Sequence, residues 1–98
     1  MKGIENMTTE YRPQDRTEVE TLQVGDWVRA TGNDTRGHTV TREGVLLVEP
    51  KLVTAQDWGR RVKKVRVHIG ELGAEPTRSN SLTLWPGAVV DRAPRYQM

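Results

Sequence analysis

Ninety-eight residues with 35% hydrophobic and 29% charged side chains bound this chain to one small domain with a modest core. The absence of cysteine excludes disulfides and thiolate metal sites, and the absence of phenylalanine leaves three tryptophans and two tyrosines as the only aromatics. The net charge of +2 is too small by itself to imply a polyanionic partner, and no apolar run approaches the roughly 20 residues of a membrane-spanning helix, so no membrane partner is expected.

Residues 1–20 carry five acids (Glu5, Glu10, Asp15, Glu18, Glu20) against three bases (Lys2, Arg12, Arg16), which leaves the remainder more basic than the whole. Their apolar positions follow neither a period of 2 nor one of 3.6, and Pro13 interrupts them, so a flexible, disordered polar tail is expected. Asp15 with Glu18 three residues on is a capping pattern that would support a short helical turn over 15–21. The tail has no apolar segment of the kind a secretory signal needs, so a cytoplasmic setting is expected. A domain over 21–94 follows, with a frayed end at 95–98.

Gln23, Val24, Gly25 and Asp26 read as a turn, with Gly25 free to take a positive φ and Asp26 able to bond nearby amides. A strand over 27–31 then places Val28 and Ala30 on one face and Trp27, Arg29 and Thr31 on the other. After a polar loop, a second strand over 38–48 is interrupted by Gly44, the mark of a bulge or sharp bend. Leu52, Val53 and Thr54 resume as a short strand at most, and residues 55–59 read as a loop. The strand over 60–69 alternates most clearly, with Val65, Val67 and Ile69 opposed to Lys64, Arg66 and His68. Residues 70–81 form a long loop of a length that suits function. A strand over 81–85 turns inward Leu82 and Leu84, Pro86-Gly87 reverses the chain, and residues 88–92 close it.

Five short strands separated by turn residues favour an all-β barrel or sandwich, and a barrel has the advantage of removing open edges. The residues from Val24 through Arg29 resemble the opening strand of Src-homology-3-like small barrels. Gly25, Asp26, Val28, Gly32, Gly37 and Val40 partly resemble the KOW motif of ribosomal and transcription-elongation proteins. The strand, Trp85-Pro86-Gly87, strand pattern is similar to the turn before the last strand of such barrels. The valine-glycine-aspartate opening is also similar to that of short actinobacterial and actinophage proteins of unknown function. The resemblance spans roughly residues 22–93 and implies a five-stranded fold rather than an activity.

No catalytic pattern emerges. His38 and His68 stand thirty residues apart without a carboxylate at ligand spacing, whereas a zinc site needs three or four ligands, so no metal, cofactor or enzyme activity is expected. The sharper signal is Arg60, Arg61, Lys63, Lys64 and Arg66, five bases in seven residues without an acid. Lys64, Arg66 and His68 form a row along one strand face with about 6.5–7 Å between alternate residues. Trp58 heads this strand, and exposed aromatics beside bases are what single-strand binders use for stacking. Arg29 would join the patch if the sheet curled. A non-catalytic nucleic-acid-binding module is therefore the leading expectation, with residues 1–20 lying across the basic face as a mask. Two readings compete with it. The basic face can serve solubility and discourage edge pairing, with the tryptophans as core. Or the protein is an interaction module, phage-encoded and acting on a host protein or in a particle, that contacts its partner through the 70–81 loop or a Trp patch.

Overall fold

Seven antiparallel strands account for most of residues 15–93, the part of the chain that the computed structural model describes. They are β1 (Asp15–Glu18), β2 (Trp27–Asn33), β3 (Thr39–Leu46), β4 (Lys51–Asp57), β5 (Arg60–Gly70), β6 (Ser81–Leu84) and β7 (Val89–Ala93). The all-β class stands as expected, and the count of five strands is corrected to seven. The two additions lie where side-chain alternation is weakest, because a backbone ladder can form whatever the side chains are. β4 carries pairing on to Asp57, through residues read as a loop. β1 runs along β7 from Asp15↔Arg92 to Glu18↔Val89, so the folded part begins before residue 21. Asp15 lies in that strand rather than at a helix start, and only Val19–Thr21 form a 3-10 turn. Val19 anchors the turn, buried and donating its amide to the Ala88 carbonyl at 2.8 Å. The rest of the expected tail, residues 1–14, and the expected frayed end lie outside the described residues.

The core is built from aliphatic side chains. Val28 and Ala30 of β2, Leu46 of β3, Val65, Val67 and Ile69 of β5, and Leu82 and Leu84 of β6 meet in one cluster with Val19, Leu22 and Val90. Every inward position expected on β2, β5 and β6 is among them. The tryptophans are not. Trp27 is buried outside this cluster, Trp85 is half exposed and Trp58 is in solvent. The reading of the tryptophans as a shared core is corrected, as is the placement of Trp27 on an open face. Asp26 holds the turn before β2 by accepting the Gln23 amide at 2.9 Å, and the Arg92 guanidinium meets it at 3.1 Å.

Pairing follows a circuit. β2 and β3 form a hairpin from Trp27↔Val45 to Asn33↔Thr39 without a bulge. At its far end β3 passes to β5 through Val45↔Gly70 and Leu46↔Ile69. Gly44 permits that exchange by close approach, since a Cβ there would stand 2.6 Å from the Gly70 carbonyl oxygen. β5 pairs β6 from Val65↔Leu84 to His68↔Ser81, and β6 returns to β2 at Asn33↔Thr83. β7 and β1 extend the sheet beyond β2.

Candidate nucleic-acid interface

The first half of β5 leaves this circuit. Residues 60–64 pair with β4 alone, so β4 and β5 stand as a two-stranded arm. Asp57 faces Arg60, and the two residues between them have φ of +54° (Trp58) and +79° (Gly59). Two successive positive φ values are the signature of the type I′ turn, which matches the twist of a hairpin. Glycine is at home in the second position. Tryptophan in the first is an outlier that costs about 1–2 kcal/mol. Its indole is also 95% exposed. An exposed indole adds no core packing and the backbone carries strain, which makes Trp58 a candidate binding residue.

β5 distributes its bases between two faces. Arg60, Lys64, Arg66 and His68 alternate on one, Arg61 and Lys63 on the other. Arg60, Arg61, Lys63 and Arg66 are exposed, and Lys63 donates to the Thr54 hydroxyl at 3.0 Å. Lys51 of β4 lies directly opposite Arg66 and adds a cation that composition alone does not place there. Two of the expected contacts take other roles. Lys64 is only 5% exposed, with its ammonium 2.9 Å from Asn33 Oδ1 and 4.5 Å from the Trp85 ring centroid. Its charge is spent on joining β5 to β2 and to the chain after β6. Arg29 lies on β2, which is not hydrogen-bonded to β5, and pairs with Asp91 at 3.2 Å beside the Trp27 ring. It does not join the arm.

His68 is half-buried and fastens the long loop to β5. Its Nδ1 lies 2.9 Å from Asn80 Oδ1 and 3.1 Å from the Thr77 carbonyl oxygen. Both partners are acceptors, so Nδ1 carries the proton. Asn80 also receives the Thr77 amide and donates to the Glu75 carbonyl, each at 2.9 Å, which shapes a 3-10 turn over Arg78–Asn80. This fold-back brings exposed Arg78 to the cleft beside the arm. That residue escaped sequence reading because the loop's path depends on His68. The one local signal is Thr77 with Asn80 three residues on, a turn-capping pair.

The cleft has a volume of about 550 Å³ and is bordered by Lys64, Arg66, His68 and Arg78, with Asp34 and Asp57 as its acids. An adjoining hollow of about 490 Å³ gathers Arg36, His38, Arg42 and Arg78 around Asp34. The His38 amide holds the Asp34 carboxyl below the usual range, assisted by the Arg36 amide and the nearby Arg42 guanidinium. Asp34 is therefore an anion at neutral pH, and its carboxylate shapes the 34–38 loop by accepting both amides at 2.9 Å. Among the described residues no group of three or more His, Cys, Asp or Glu side chains could hold a metal ion.

The different duties of Lys64 and its neighbours are separable. Lys64→Met should cost about 1–3 kcal/mol in urea denaturation, through loss of the bond to Asn33 and of the ring contact. Lys63→Met should leave stability within about 0.5 kcal/mol, because its single hydroxyl bond is solvent-exposed. Equal effects would mean that the Lys64 contacts do not support the fold. Comparison with protein-family models, with curated proteins and with solved structures returned no match.

Proposed function

We propose that this protein is a non-catalytic module that binds single-stranded nucleic acid along its β4–β5 arm. The scaffold is a small barrel of Src-homology-3 type, a reading supported by the circuit β2–β3–β5–β6 that returns to β2 at Asn33↔Thr83. The single observation that carries the function is Trp58, an indole held in solvent at a costly backbone conformation and followed by a run of bases. Stacking on an aromatic needs a base with a free face, which a single strand offers and a duplex does not. Arg60 and Arg66, on one face of β5, neutralise phosphates with Arg78 joining from the cleft, while Arg61 and Lys63 on the other face add to the positive field of the arm. Lys64 supports the scaffold, and Arg29 stays with Asp91.

Fluorescence anisotropy with a labelled single-stranded oligonucleotide tests this reading. With about three phosphates contacted, the slope of log K against log salt should be about −2. A duplex of the same length should bind more weakly. If no oligonucleotide binds at low salt, the proposal fails. Leu72, exposed in the 71–80 loop, favours the second reading, a protein-binding module. That reading would show as salt-insensitive capture of a protein partner that Leu72→Ser abolishes.

A further inference from the structure

β4 is the end strand of the sheet, and among the described residues it pairs with β5 alone. Seven residues of it offer an open edge, Lys51–Asp57, with Leu52 largely in solvent and neither a proline nor a bulge to spoil pairing. Open edges of this length are templates for another strand.

The hydrogen-bond phase of this edge follows from the turn. In a two-residue type I′ hairpin the residues flanking the turn exchange both backbone bonds, so Asp57, Ala55, Val53 and Lys51 direct their amides and carbonyls toward β5. Leu52, Thr54 and Gln56 therefore direct theirs outward. An added strand must satisfy those three positions.

The edge is complementary to itself in one register. Two copies of β4 laid antiparallel about Thr54 set Thr54 opposite Thr54 and Leu52 opposite Gln56, so all outward groups meet outward groups. On one face of this ribbon Val53 then meets Ala55, and Lys51 meets Asp57 at both ends. A shift one way sets Glu49 against Asp57, a repulsive pair, and a shift the other way leaves Lys51 opposite the turn glycine, Gly59. Opposite charges across strands stabilise and like charges destabilise, so charge selects the centred register.

We propose that β4 is a self-association edge. It pairs antiparallel with β4 of a second copy across a two-fold axis at Thr54, and it joins two arms into a four-stranded ribbon. The contact is isologous, so it closes at two copies. It is a small interface, and the dimer is accordingly weak and concentration-dependent. The inference is independent of the nucleic-acid reading, because no nucleic acid enters its test.

Sedimentation velocity on the full chain, from micromolar to millimolar concentration, should show a monomer–dimer equilibrium. Lys51→Glu and Asp57→Lys should each weaken it at least about tenfold, since both ends of the ribbon become like-charged pairs. Mixing the two variants should restore a heterodimer. The introduced acid then faces the introduced base at one end of the ribbon, and the native Asp57 faces the native Lys51 at the other. This restoration also excludes misfolding as the cause of the loss. A wild type that stays monomeric throughout would overturn the proposal, as would single variants that associate like wild type or a mixture that stays monomeric.

Discussion

Trp58→Asn is expected to raise stability by about 1 kcal/mol and to lower affinity for single-stranded nucleic acid by about tenfold or more. The two effects have separate origins. The position takes φ of +54°, where an L side chain without a local hydrogen bond is strained, and Asn-Gly is the pair that a type I′ turn prefers. The indole has almost no neighbours to lose, since it is 95% exposed, so its removal takes little from the fold. Its stacking energy on a base, about 1–3 kcal/mol, disappears with it. Urea denaturation reads the first effect and anisotropy at fixed salt reads the second. The salt slope should be unchanged, because no phosphate contact is removed. A variant that gains stability while binding as tightly as wild type would refute stacking and leave the charges of β5 as the whole interface. A variant that loses stability would show that the indole packs against the protein.

Gly32→Ala is expected to destabilise the fold by about 3 kcal/mol, a large share of the roughly 5–15 kcal/mol available to a domain. Gly32 lies beside the pair that brings β6 back to β2. A Cβ there would overlap the Thr83 carbonyl oxygen and press on Leu84 Cγ at 3.0 Å and Leu82 Cγ at 3.1 Å. Those leucines are core, and the carbonyl is backbone, so none of the three can yield cheaply. Gly37→Ala is the control. It sits at φ of +86° with nothing within 4 Å of a new Cβ, and it should cost only about 1 kcal/mol of conformational strain. The midpoints of urea denaturation should therefore separate the two alanines clearly. Equal losses would mean that the β2–β6 junction is loose and that the circuit is not what holds the fold together.

Much of the scaffold was legible because it depends on local alternation. β5 announces itself by Val65, Val67 and Ile69 set against charged neighbours, and all three are core. Leu82 and Leu84 declare β6 in the same way. β1 and the outer half of β4 give no such sign. Their residues are polar or small on both faces, and they are strands because a neighbour's open edge offers backbone partners. A ladder of that kind leaves little trace in side-chain pattern.

The candidate site divides along the same line. The run of bases from Arg60 to Arg66 and the presence of Trp58 at its head belong to the sequence, as does the two-residue period that spreads those bases over two faces. Which of the bases is available belongs to the tertiary structure. Lys64 looks equivalent to Arg66 in the chain, two residues apart on one strand face. Asn33 comes from β2 and Trp85 from the residue after β6, and they meet Lys64, so one cation is buried as a tie while the other stays in water. Arg78 enters the cleft by the opposite route, brought from a distant loop because His68 holds Asn80. By itself the sequence determined the strand faces, the aliphatic core positions and the charge of the arm, since each follows from neighbours along the chain. Only the tertiary structure decided which charges stay in solvent, that Trp27 is buried and that Trp58 stands exposed at the tip. The first two depend on contacts between residues distant in the chain, and the third on the β4–β5 pairing that runs on through polar residues to Asp57↔Arg60.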